Sequence, residues 1–101
     1  MIYRNAKLLG LAKEAPYCFH CRRPNDGTIV AAHANDGMMG KGMRLKAADV
    51  PAYLCYSCHH EIDNGSSMSR ELCLNIWYRA AVLSMRWALE NHPEVFCQRK
   101  K

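Results

Sequence analysis

The sequence contains no apolar run approaching the ~18–20 residues that a membrane-spanning helix needs, so it offers no candidate span and no membrane association is expected. Its opening residues, Met1-Ile2-Tyr3-Arg4-Asn5-Ala6-Lys7, lack the charged-then-apolar layout of a secretory signal. A cytoplasmic location is therefore expected, and disulfides are disfavoured there. Internal repeats are absent, and 101 residues leave little room for a second core, so a single domain over 1–101 is expected. A domain of this size buries a modest core, which makes a metal staple useful.

What is present is globular material. Half of the residues are hydrophobic, too many for a disordered tail. Fourteen Lys and Arg stand against nine Asp and Glu, a formal net charge of +5. Such a surface favours a polyanionic partner such as nucleic acid, although it would also serve plain solubility.

The pattern along the chain predicts an α+β domain. Ile2 to Ala15 reads as a helix closed by Pro16, with Gly10 weakening it. The segment from Pro16 to Gly27 reads as a metal knuckle followed by a turn. Thr28-Ile29-Val30-Ala31-Ala32-His33 is rich in β-branched residues and reads as a strand. Asn35 to Gly42 reads as an irregular loop, and Lys41, Arg44 and Lys46 in and after it form a cluster suited to phosphates. Pro51 to Cys55 reads as a second short strand. From Ser57 or Cys58 the chain should turn helical and stop near Asn64, capped by Gly65. A long C-terminal helix should follow, capped by Ser66 or Ser67 and running to about Asn91. Leu72, Ile76, Ala80, Leu83 and Trp87 recur at helical spacing and define its expected buried face.

Two C-x-x-C pairs, Cys18/Cys21 and Cys55/Cys58, carry the strongest chemical signal. Each pair can present two thiolates from one tight knuckle, and two knuckles complete the tetrahedral sulfur shell that Zn2+ favours. Four protein ligands leave no open position, so this zinc would be structural. A redox C-x-x-C or unpaired buried cysteines are the alternatives, and two such motifs in one chain favour zinc. Cys73 lies on the long helix and reads as a small core residue.

Directly after the second knuckle comes His59-His60-Glu61-Ile62-Asp63. On a helix, His59 and Asp63 share one face and could ligate a divalent cation such as Mg2+, Mn2+, Ni2+ or Zn2+. His59 could equally cap the helix. His33, ending the first strand, has the residue type of a general base, or is an ordinary surface or core histidine.

A C-x-x-C, a strand ending in His, a flexible loop and a C-x-x-C-H leading into a helix together resemble the zinc-stapled HNH endonucleases with their ββα-metal motif. The chain is most similar to the YbcO-like nucleases of lambdoid prophages. The matching residues are Ala32-His33, Gly40-Lys41-Gly42 through Lys46 to Asp49, and Cys55-Tyr56-Ser57-Cys58-His59-His60-Glu61-Ile62-Asp63. The resemblance implies a zinc-stapled ββα-metal core with an N-terminal helix and a long C-terminal helix. It implies a prophage-encoded, metal-dependent endonuclease hydrolysing DNA phosphodiesters. It makes His33 the general base, Asp49 the residue that orients it, and His59 and Asp63 the ligands of a second, catalytic divalent metal. Lys41, Arg44 and Lys46 would hold flanking phosphates. Two departures stand out. Many such enzymes carry a metal-ligating Asp or His where this chain has Ala32, with Asn35 and Asp36 as candidate substitutes, and an Asn is usual where this chain has Asp49.

Two further classes compete with the enzyme. One is a non-catalytic zinc-stapled DNA-binding module. The other is an interaction domain whose long helix pairs with a partner or a second copy. Trp77 lies one position off the expected apolar face, which makes it the better interface candidate, whereas Trp87 is expected in the core.

Overall fold

A computed structural model describes residues 2–42, 46–64 and 67–97. Its elements are helix α1 (Ala6–Gly10), a 3-10 turn (Leu11–Glu14), strand β1 (Ile29–Ala32), a 3-10 turn (Gly37–Met39), strand β2 (Ala52–Cys55), helix α2 (Tyr56–Asn64), helix α3 (Arg70–Asn91) and a closing 3-10 turn (Pro93–Phe96). This is an α+β arrangement around one two-stranded antiparallel sheet.

The first helix is shorter than the expected span from Ile2 to Ala15. Asn5 is extended at φ −157° and its side chain accepts from the Leu8 amide at 3.0 Å, so the helix begins at Ala6. After Gly10, a poor helix former, it tightens into the 3-10 turn.

The strands pair with Ile29 opposite Cys55, Val30 opposite Leu54, Ala31 opposite Tyr53 and Ala32 opposite Ala52. All four residues of β2 are buried, and α3 packs along that strand. Helix α2 starts at Tyr56, immediately after β2 ends at Cys55, so the second C-x-x-C straddles the strand end and the first helical turn. Helix α2 ends at Asn64 as expected, and Gly65 lies outside the described residues.

The cap of α3 is Ser69, whose hydroxyl accepts from the Leu72 amide at 3.1 Å. Ser67 is therefore not the cap, and Ser66 lies outside the described residues. The buried face of α3 is also not the expected one. It consists of Cys73, Trp77, Ala80, Ala81, Ser84 and Ala88, while Leu72 and Leu83 are exposed. Small residues let the helix approach β2 closely. The Ser84 hydroxyl accepts from the Tyr53 amide at 2.9 Å and donates to the Ala80 carbonyl at 2.7 Å, so this buried polar group is satisfied.

Trp77 is 2% exposed, which removes it as a surface for a partner. Trp87 is partly buried, edge-on to Tyr53 with centroids 5.7 Å apart and 6.2 Å from Phe19. Tyr53 is fully buried and its hydroxyl donates to the Leu8 carbonyl, tying α1 to the sheet. Among the described residues no helix is long and apolar enough to cross a membrane.

Candidate functional site

Cys18, Cys21, Cys55 and Cys58 converge, with their sulfur atoms all within 4.8 Å of one another. The first knuckle closes through Cys18 N–H to the Arg23 carbonyl at 2.9 Å and Arg22 N–H to the Cys18 carbonyl at 3.0 Å. Arg22 turns the chain with φ +69°, a left-handed value that non-glycine residues seldom take. The Cys18 sulfur accepts from the amides of His20 and Cys21, both at 3.4 Å. Burial works to raise the Cys18 thiol, but amide hydrogen bonds from Cys55, Cys21 and His20 outweigh it and bring it down to about 7. Burial pushes Cys21 and Cys58 upward, so the protein alone does not favour four thiolates in this space. A divalent cation reverses that balance. The Cys21 and Cys55 sulfurs lie 3.8 Å apart. Zn–S bonds of ~2.3 Å in a tetrahedron place sulfurs about 3.8 Å apart, the separation seen for this pair. The four cysteines can hold a structural metal ion such as zinc. Among the described residues no other set of three or more His, Cys, Asp or Glu side chains is so closely gathered.

The second feature lies at the other end of β1. The Trp77 indole N–H donates to the Ala32 carbonyl at 3.0 Å, fixing the strand end from which His33 projects. His33 Nε2 lies 2.9 Å from Asp49 Oδ1. Asp49 is itself held: Oδ2 accepts the Asn5 amide at 2.8 Å, and Oδ1 also accepts from Arg4 at 3.2 Å. Burial works to raise the Asp49 carboxyl, but the bonds from His33, Asn5 and Arg4 hold it below the usual carboxylate range. The Arg4 guanidinium additionally donates to the carbonyls of Ala47 and Lys46, pinning the chain that enters β2. Arg4 and Asn5 carry no motif, and their link to Asp49 spans more than forty residues, so sequence reading missed them.

On α2, His59 Nε2 and Asp63 Oδ2 are 3.0 Å apart, one helical turn from each other. His33, Lys41, Lys46, His59 and Asp63 line one cleft of about 460 Å³. The expected base, metal ligands and two of the three phosphate-facing cations therefore share a wall-to-wall space, whereas Arg44 lies outside the described residues. Lys41 follows Gly40, whose φ of +87° ends the 3-10 turn and where a Cβ would fall 2.6 Å from Ile2.

Ala32 is buried, while Ala31 and His33 line the cleft. The position before His33 thus faces the core. Asp36 does not substitute there: it accepts from the Tyr78 hydroxyl at 2.6 Å and sits 3.8 Å from Arg70, binding the loop to α3. Those contacts lower the Asp36 carboxyl, Tyr78 foremost, and the same bond pushes the Tyr78 phenol up to about 12. Asn35 does line the cleft. Cys73 is buried on α3, as its position on the helix led us to expect.

Comparison with protein-family models, with curated proteins and with solved structures found no match. The site's own geometry therefore carries the functional reading.

Proposed function

We propose that this protein is a metal-dependent endonuclease of the HNH (ββα-metal) type, resembling the YbcO-like prophage nucleases, that hydrolyses DNA phosphodiesters. The observation that carries the reading is a histidine locked to a buried carboxylate, facing a cleft that also holds an imidazole–carboxylate pair and two lysines. With Nε2–H donating to Asp49, the His33 tautomer leaves the Nδ1 lone pair to take a proton. Water loses that proton to Nδ1 as its oxygen bonds to phosphorus. The P–O3′ bond then breaks, and the leaving oxygen takes its proton from solvent. Asp49 stabilises the imidazolium so formed. Lys41 and Lys46 hold flanking phosphates in register.

His59 and Asp63 are the residues that would hold the catalytic divalent metal. In the structure their facing atoms pair directly at 3.0 Å, and a bound ion would take the place of that contact. When bound, such an ion offsets the charge developing on the phosphate and the leaving oxygen. Zinc at the four cysteines is structural in this reading. The deciding experiment is cleavage of plasmid, single-stranded and branched DNA with several divalent metals. His33→Ala should lower the metal-dependent rate by at least ~10²-fold with zinc content intact. A folded, metal-supplied protein that cuts none of these substrates refutes the reading.

A second reading is a zinc-stapled DNA-binding module without catalysis. It is favoured by the two-member His59–Asp63 set and by Ala32, which offers no further ligand. Salt-sensitive DNA binding that is indifferent to His33→Ala and His59→Ala would select it.

A further inference from the structure

His33 stands between two clefts. Behind the one that holds the lysines lies a second of about 290 Å³, to which His33, Asn35 and Asp63 also contribute. Its other walls are different in kind. Ile62 comes from α2, Leu74 and Trp77 come from α3, and Met68 precedes that helix. Arg70 is the cation lining it, and its guanidinium reaches the Asn35 carbonyl at 3.4 Å and Asp36 at 3.8 Å. Both contacts are long, so donors remain for a ligand. The space is smaller than the ~300–1,000 Å³ of drug-sized ligand sites, and suits one flat heterocycle.

Apolar walls beside a phosphate-facing cleft are what an unstacked base requires, because a base removed from the stack needs a dry surface and a few polar edges. A continuous duplex keeps its bases paired and cannot present one there. We propose that this second cleft seats a single nucleobase adjacent to the phosphate at His33, and that the preferred substrate is single-stranded DNA. The proposal rests on the nuclease reading for what happens at His33, but the base seat is a binding site in its own right. Asn35 and Arg70 supply the polar contacts to the base edge, and Ile62, Met68 and Leu74 supply its stacking surface.

Electrostatics alone would favour duplex, which carries the higher charge density, so a preference for single strands is diagnostic. The experiment uses the zinc-loaded full chain without added divalent metal. Oligonucleotides of about 12 nucleotides carry 2-aminopurine, and single-stranded and duplex forms compete at fixed salt. Single strands should bind about tenfold more tightly, with a change in 2-aminopurine fluorescence at one position. Leu74→Trp, which fills the cleft, should reduce the preference to about twofold and abolish the fluorescence change. Ile62→Phe provides the same test if the first variant loses its zinc or its helix content. Equal binding of both forms with no fluorescence change overturns the base seat, whatever the protein cleaves. A base signal with single-strand preference but no cleavage under any divalent metal sinks the nuclease reading and leaves the seat standing. Cleavage of both forms at equal rates, unaffected by the filling variants, does the reverse.

Discussion

Replacing Asp49 with alanine is the sharpest test of how the His33 side of the cleft is held. Asp49 is 7% exposed, and its carboxylate takes three hydrogen bonds from two distant parts of the chain. Removing it leaves the Asn5 amide unpaired in a buried position, a loss of ~1–3 kcal/mol. The bond from the partly exposed His33 adds about 1 kcal/mol. The Arg4 pair adds less than ~1 kcal/mol, because that guanidinium is nearly half exposed. The sum is about 3 kcal/mol, within the ~5–15 kcal/mol stability of a small domain, so the variant should still fold. With a urea m-value near ~1.5 kcal/mol/M, the midpoint should fall by about 2 M at unchanged slope. Acidity gives an independent signature. Because the folded-state carboxyl lies below its unfolded value of ~3.9, its contribution is fully present above that pH and disappears as pH falls through the folded value. The stability difference between wild type and Asp49→Ala should therefore shrink as pH falls below about 4. A midpoint shift under ~0.5 M, or a difference that does not shrink below about pH 4, would refute the account of Asp49 as a carboxylate clamp.

Removing the metal from the four cysteines, by chelation or by Cys55→Ser, should lower helix content and melting temperature together, read by circular dichroism beside metal analysis. An unchanged melt in metal-free protein would mean that the cluster is not a staple. Trp77→Phe keeps an aromatic side chain but deletes the N–H to the Ala32 carbonyl and leaves part of the indole volume empty, at a cost of at least ~1–3 kcal/mol. Calorimetry should show a melting temperature lower by at least ~4 °C, together with slower DNA cleavage on the proposed nuclease reading. Lys41→Ala and Lys46→Ala should each reduce the salt slope of single-stranded DNA binding by about 0.7, measured by titration at several salt concentrations. No change in slope would place the backbone elsewhere.

The parts of this molecule legible in its sequence are those where one chemical demand fixes the spacing. Two thiolates per knuckle force C-x-x-C, and the helix that begins at the second knuckle brings His59 and Asp63 onto one face. The β-branched run of β1 and the short β2 were legible because hydrophobicity and turn residues bound them on both sides. The face of α3 was not, because apolar periodicity weights large side chains. The strand it covers needs close approach, so Ala80, Ala81, Ser84 and Ala88 are buried while Leu72 and Leu83 are left outside. Ser84 would never be scored as core, yet it satisfies a strand amide. Trp77 was misplaced for the same reason. The Arg4–Asn5–Asp49 link was illegible because it joins distant segments that share no periodicity.

The two sides of the cleft are consequently set by different physics. On the α2 side, position follows from covalent proximity to the four-cysteine cluster: Cys58 is next to His59, and Cys55 ends the strand that feeds the helix. On the β1 side, position follows from buried hydrogen bonds, with Trp77 holding the strand end and Asp49 holding the ring. His59 is carried along with its chain neighbour Cys58, whereas buried hydrogen bonds weaken when a partner shifts by a fraction of an ångström. The core must therefore be rigid where the histidine is aimed. Small residues along α3, fitted closely to a strand buried along its whole length, provide that rigidity. The same tight approach leaves the larger α3 side chains at its start, Leu74 among them, to wall the second cleft beside His33.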